Sequence, residues 1–144
     1  MRLASVGVRR NPTSPTSRLK TLSYLDPVEA RRQARAAGAD EAVMLSTSGL
    51  VACAAAANLF WIEGSEVFTP ALDCGVLDGT VRGLVIERIG AHEVAAGPEA
   101  LAGADAVFLT NSLIGVRAAS HLDGRALDEH PLIGRIRERL ADAI

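Results

Sequence analysis

Arg18-Leu19-Lys20-Thr21-Leu22-Ser23-Tyr24-Leu25 is the stretch around which the rest of the chain reads as organised. Lys20 is the only lysine among 144 residues; the other basic side chains are arginines and three histidines. An amine that attacks a carbonyl must first lose its proton, and arginine does not do so in a protein. Carbonyl condensation through a side chain therefore has one candidate here, Lys20. A composition rich in Ala and Arg also leaves a lone lysine by chance, so neighbouring segments must carry the argument.

Before this stretch, Asn11-Pro12-Thr13-Ser14-Pro15-Thr16-Ser17 holds two prolines and no helical period, so residues 5–17 read as an extended arm. The expected organisation is an arm over 1–17 and one domain over 18–144. After it, Leu22–Ala37 reads as a helix. Asp26-Pro27 supplies a cap and a first-turn proline, Arg31, Arg32 and Arg35 form a charged face, and Gly38 ends the run. Lys20 then lies between an arm and a helix start, where its side chain is expected to project into a cleft.

Further on, strand-like pieces at 41–45, 50–53, 58–62 and 66–69 are separated by Ser46-Thr47-Ser48-Gly49 and Glu63-Gly64-Ser65, which have hairpin composition. The expectation is an antiparallel meander, with Ala54–Ala57 too short for a helix and read as packed strand or turn. Leu72-Asp73-Cys74-Gly75-Val76-Leu77-Asp78-Gly79-Thr80-Val81-Arg82 leads into a helix ending near Ile89. A glycine-bearing loop opening a helix leaves free N–H groups at the positive end of the dipole, a ready phosphate site. The same pattern equally starts an ordinary helix capped by Asp78 or Thr80. A short strand at 92–95, a short helix at 98–102 and a hydrophobic strand at 104–109 follow. The last runs into Thr110-Asn111-Ser112, a hydroxyl-rich strand end suited to a ligand or to a plain polar turn. Asp123-Gly124 reads as a turn, and 131–144 as an amphipathic helix with Ile133, Ile136, Leu140 and Ala143 on one face.

The apolar fraction of 49% and charged fraction of 22% suit a soluble globule, and the length suits one domain. A net charge of −2 argues against a nucleic-acid surface. No apolar run is long enough for a bilayer, and the opening residues lack the long apolar middle of a signal peptide. Cys53 and Cys74 match no metal spacing and read as free thiols. A cytoplasmic protein is expected, without metal, membrane or nucleic acid. Only 3% of residues are aromatic, so the core of Ala, Leu and Val is thin, a hint of a partner chain.

A lysine amine, a helix-start anion cradle and a hydroxyl-rich strand end are the parts that hold pyridoxal phosphate. At these residues the chain resembles the class IV aminotransferases, the fold-type IV enzymes that include branched-chain and D-amino-acid aminotransferases and aminodeoxychorismate lyase. Four blocks carry the resemblance in order: 17–25 around Lys20; Gly49-Leu50-Val51 through Ala57-Asn58-Leu59-Phe60-Trp61; 69–82; and 107–116 around Thr110-Asn111-Ser112. Lys-Thr-Leu-x-Tyr-Leu, Asn-Leu-Phe-Trp and Thr-Asn-Ser-Leu-x-Gly are most similar to the lyase, which makes 4-aminobenzoate and pyruvate for folate synthesis.

The resemblance implies an α/β large domain, a mixed and mainly antiparallel sheet curled around pyridoxal 5'-phosphate with helices outside, in a homodimer acting on a small amino substrate. It implies Lys20 as the amine joined to the cofactor aldehyde and as a proton carrier, with Tyr24 in the same cofactor-binding block. Leu77 would pack on the pyridine ring. Gly79, Thr80 and Val81 would bind the phosphate through amides and Ser112 through its hydroxyl, with Thr110 and Asn111 as further contacts to phosphate or substrate. Two departures stand out. Where the family has a glutamate facing the pyridine nitrogen, this chain has Cys53, a poor partner for a protonated ring. The resemblance also begins just before the lysine, so the family's small N-terminal domain, with its phosphate-binding arginine, is expected to be missing. Arg82, Arg117 and the Arg9-Arg10 pair are candidate substitutes, or ordinary surface charges. The expected activity is lyase; the alternatives are transamination of a branched-chain or D-amino acid, and a truncated non-catalytic homologue.

Overall fold

The computed structural model describes residues 1–144. Two five-stranded sheets face each other, with one helix outside the first and two outside the second. The first sheet holds β1 (Arg2–Arg10), β2 (Glu41–Ser46), β3 (Val51–Ala54), β9 (His121–Leu122) and β10 (Arg125–Ala126), in the order β10-β9-β1-β2-β3. The second holds β4 (Asn58–Glu63), β5 (Glu66–Pro70), β6 (His92–Val94), β7 (Ala106–Asn111) and β8 (Gly115–Ala118), in the order β6-β5-β4-β7-β8. Five of the eight strand pairings are antiparallel; β1 with β2, β1 with β9, and β5 with β6 are parallel. The mixed α/β class with mainly antiparallel pairing stands.

One expectation changes. The strands from 41 to 69 do not form one meander, because β3 and β4 lie in different sheets. β4 pairs with β5 on one side and β7 on the other, which leaves no free edge for β3. The chain crosses between sheets at Ala55-Ala56-Ala57, where Ala54 N–H bonds the Ala57 carbonyl at 3.0 Å. Methyl side chains allow so tight a reversal.

The alternation of side chains in β4 and β7 accounts for the layers. Leu59, Trp61, Val107 and Leu109 point into the core between the sheets, where they meet Leu3, Val43, Val51 and Leu122. Phe60, Ile62 and Phe108 point the other way, onto Val81 and Val85 of α2 (Thr80–Ile89) and Ile133, Ile136 and Leu140 of α4 (Pro131–Leu140). The Phe60 and Phe108 rings stack at 4.9 Å. β4 therefore reads as an unbroken apolar run because both its faces are covered. On the far side of the first sheet, Ala30 and Ala34 of α1 (Leu25–Ala36) pack on Ala4, Ala42, Met44 and Ala55. Small residues on both partners bring helix and sheet close. α4 stops at Leu140, so Ala143 lies outside its apolar face. A short helix α3 (Pro98–Ala102) precedes β7. No helix is long and apolar enough to cross a membrane.

The division into an arm over 1–17 and a body over 18–144 does not survive. β1 is an inner strand with Leu3 and Ala4 buried, bonded to β2 and β9. Residues 11–17 are ordered too: Ser17 is buried, and its hydroxyl donates to the Asn11 carbonyl at 2.7 Å. Arg10 ties them to the rest, donating to Gly75 O at 3.1 Å and Ser17 O at 2.8 Å.

Candidate active site

The seam where the chain passes from one sheet to the other gathers most of the residues singled out in the sequence. The Tyr24 phenol, just ahead of α1, donates to Ala55 O at 3.2 Å. Asn111, at the end of β7, donates through Nδ2 to Ala56 O at 2.8 Å. Asn58, first residue of β4, donates through Nδ2 to Leu77 O at 2.8 Å, and its Oδ1 lies against Gly79. Three segments far apart in sequence therefore meet on residues 55–58: the loop after Lys20, the start of α2, and Thr110-Asn111-Ser112.

The start of α2 is open. Gly79 is the N-cap with extended backbone, no side chain accepts from the first amides, and no acidic residue occupies the first turn. Neither Asp78 nor Thr80 caps the helix, contrary to the simpler expectation. Asp78 Oδ1 is instead turned back to Arg82 at 3.3 Å. Asn58 and Thr110 are cross-strand partners on the face that α2 covers. Thr110 is fully buried, and its hydroxyl oxygen has no hydrogen-bond partner. A buried hydroxyl without a partner costs about 1–3 kcal/mol. An orphaned hydroxyl beside uncapped amides suits a phosphate oxygen, so this end fits the phosphate of the cofactor.

Asn111 is committed to its turn: Oδ1 accepts from the amides of Leu113 at 2.8 Å and Ile114 at 2.9 Å. Ser112 is exposed in that turn, and Leu77, Thr80 and Val81 span the entry to α2. Lys20 is exposed, four residues before Tyr24, rather than directed into a cleft. Its loop and the first turn of α1 carry Leu19, Leu22, Leu25 and Val28, 60%, 101%, 78% and 56% exposed, so this stretch of chain is uncovered apolar surface. The clefts lined by Ser5, Asp123 and Arg125, and by Asp40, Arg117 and Arg137, share no residue with this group. No group of three or more His, Cys, Asp or Glu side chains is placed to hold a metal ion.

Cys53 sits in β3, 8% exposed, in one cluster with Cys74 and Val76, which lead to Leu77. Burial pushes its thiol up to about 11; Arg10 draws it down, and Glu41 adds to the rise. At neutral pH the position is an uncharged thiol, so this end does not offer the carboxylate that would hold a pyridine ring protonated. The shift also has a consequence for stability. From the ordinary 9.0 to about 11 the unfolded chain gives up a proton that the folded chain keeps, so stability falls as pH rises through that window. Two pH units correspond to at most about 3 kcal/mol. Buried Cys74 shifts in the same direction. Urea unfolding of wild type and Cys53→Ala across this range checks the point: the variant is expected to have the shallower alkaline decline, and equal slopes would refute the assignment.

Asn58 has a part in this geometry that the sequence reading missed, since it stood in a matched block without a role. Of the arginines weighed as anion contacts or surface charges, Arg82 is 2% exposed and Arg10 spans Gly75 O and Ser17 O.

A chain with this fold and this seam belongs to the amino-transferase class IV family, whose model matches residues 1–122. The cofactor of these enzymes is pyridoxal 5'-phosphate. Among relatives, the aminodeoxychorismate lyase of Bacillus subtilis is 34% identical over 118 residues, covering 76% of this chain and 39% of the relative. A Legionella pneumophila protein assigned as a 4-amino-4-deoxychorismate lyase superposes with a TM-score of 0.93 at 35% identity, covering 98% of this chain and 55% of that one. The branched-chain aminotransferase of the archaeon Thermoproteus uzoniensis, solved with norvaline, gives 0.88 at 30%, covering 99% and 52%. The chain thus spans about half the length of these solved relatives.

Proposed function

We propose that the protein is a lyase that uses pyridoxal 5'-phosphate to convert 4-amino-4-deoxychorismate into 4-aminobenzoate and pyruvate. The observation that carries this reading is the meeting of the Lys20 loop, the open start of α2 and the Thr110 strand end on residues 55–58. The sequence likeness to the lyases supports the choice of substrate. When bound, the cofactor would draw electrons from the substrate carbon bearing the amine. The amides of Thr80 and Val81, with the Thr110 and Ser112 hydroxyls, would hold the phosphate, and Leu77 would support the ring. Lys20 Nζ would anchor the cofactor, then take the proton lost as the ring becomes aromatic and pyruvate leaves. That elimination balances without an oxidant. Tyr24, held by Ala55, would fix the loop that carries the lysine. A second copy covering the exposed apolar stretch from Leu19 to Val28 belongs to the same reading, as a homodimer.

Pyruvate release from 4-amino-4-deoxychorismate, against glutamate formed from 2-oxoglutarate and a branched-chain or D-amino acid, tests the reading. Pyruvate without glutamate is expected; glutamate alone would make the protein a transaminase. One observation favours a second reading, a non-catalytic relative: the buried, neutral Cys53. In that case neither product forms, while Cys53→Glu gains turnover.

A further inference from the structure

We infer that Arg82 is a positioning residue that holds the entry to α2 open for a phosphate; the inference rests on the reading of that helix start as the cofactor's phosphate seat. Arg82 lies in the first turn of α2 and is 2% exposed. Its guanidinium reaches three separate segments. Nη2 donates to Pro70 O at the end of β5 at 3.0 Å and to Glu93 Oε1 on β6, and Nη1 faces Asp78 Oδ1 at 3.3 Å. These contacts bracket the whole loop 71–79 that delivers Gly79, Thr80 and Val81.

Stability alone does not explain the residue. Its Nε is buried without a partner, an arrangement that costs free energy. Its carboxylate partners, Asp78 at 69% and Glu93 at 42% exposure, are screened by water, which weakens both pairs. Geometry does explain it. Asp78 is the residue just before the N-cap, where the helix dipole draws a carboxylate toward the first free amides. Those are the amides a phosphate needs. Arg82 turns the Asp78 carboxylate back along the helix, and Glu93 balances the guanidinium charge from the other side. Without Arg82, Asp78 is free to cap α2 and to compete with the phosphate from within the chain.

The test compares pyridoxal 5'-phosphate with pyridoxal, which lacks the phosphate, by absorbance titration of wild type, Arg82→Met, Arg82→Lys and Arg82→Met/Asp78→Ala. Wild type is expected to prefer the phosphorylated ligand. Arg82→Met should lose at least tenfold of that preference with pyridoxal affinity unchanged; Arg82→Lys should retain part of it, and removing Asp78 should restore it. Equal loss for both ligands, or no recovery in the double variant, overturns the inference while leaving the phosphate seat itself intact. A wild type that does not distinguish the two ligands removes the seat and the inference together. Should Arg82→Met fail to fold, Glu93→Gln, at a half-exposed position, loosens the same clamp. Amide exchange at 78–81 in the ligand-free chain is then expected to change relative to wild type, and unchanged exchange overturns the clamp.

Discussion

Lys20→Ala is expected to fold as wild type does and to lose the visible absorbance that wild type acquires with pyridoxal 5'-phosphate. The first half follows from exposure: Lys20 lies on a surface loop, where substitutions usually change stability by no more than about 0.5 kcal/mol. The second follows from composition. The chain has one lysine, so the only other amine is the α-amino group at the N-terminus of the protein used. Borohydride fixation followed by peptide mapping therefore has two possible destinations. The label is expected on the peptide holding Lys20 in wild type and nowhere in the variant. Where wild type turns over, the variant is expected to be slower by about 100- to 10,000-fold, the usual worth of a positioned acid–base group. A label that persists at the N-terminus, or absorbance retained by Lys20→Ala, would dissociate the lysine from the chemistry and leave only the fold in common with the family.

Lys20 stands out by residue type alone, but the cleft expected around it is absent, because the lysine lies on an exposed loop. Local patterns served well for the hairpins at 46–49 and 63–65, and for the helices ending at Gly38 and Gly90. The failures share a cause: each turns on partners distant in sequence, or on a choice among near neighbours that only the fold makes. β1 looks irregular because Gly7 and the Arg9-Arg10 pair interrupt its alternation. It is a strand because it pairs with β2, Leu3 opposite Glu41, and with β9, Arg2 opposite His121, partners 38 and 119 residues on. The N-cap of α2 was open between Asp78 and Thr80 because both have capping side chains, yet Arg82 takes Asp78 away and Gly79 fills the position. The burial of Arg82 could not be read locally, since two of its three acceptors come from positions 70 and 93. Polar residues that organise the site are the hardest to read, because their partners are chosen by the fold.

The lysine and the helix start also differ in what surrounds them. The start of α2, the proposed phosphate end, is built into the core, with Asn58, Thr69, Arg82 and Thr110 buried. The lysine end is open and apolar. On the proposed reading, buried polar residues of the phosphate end would hold the phosphate, whereas the surface around Lys20 gives the reacting carbon no shield from water, on which such chemistry depends. Cofactor affinity and turnover are accordingly separable here, and variants of the phosphate end should report on the first even where the second is slow.

Gly79→Ala is the sharpest such variant. A Cβ at Gly79 would overlap Asn58 Oδ1 and stand 3.3 Å from its Cγ. Asn58 is 7% exposed, and Nδ2 holds Leu77 O at 2.8 Å, so turning the amide aside breaks that bond. Backbone displacement at residue 79 moves the very amides offered to the phosphate. The backbone is not itself at issue, since its φ of −77° suits any residue. Overpacking of this kind costs about 1–3 kcal/mol of stability. Losing one charge-assisted amide bond costs about 1.5–3 kcal/mol more in binding, about ten- to hundredfold in Kd. The expected result is a lowered unfolding midpoint and a cofactor affinity reduced by that factor, with affinity for pyridoxal little changed. Asn58→Ala removes the obstacle, so Asn58→Ala/Gly79→Ala is expected to be more stable than the sum of the single changes, by the coupling that a double-mutant cycle isolates. Undiminished affinity in Gly79→Ala would place the phosphate elsewhere and empty the start of α2 of its role.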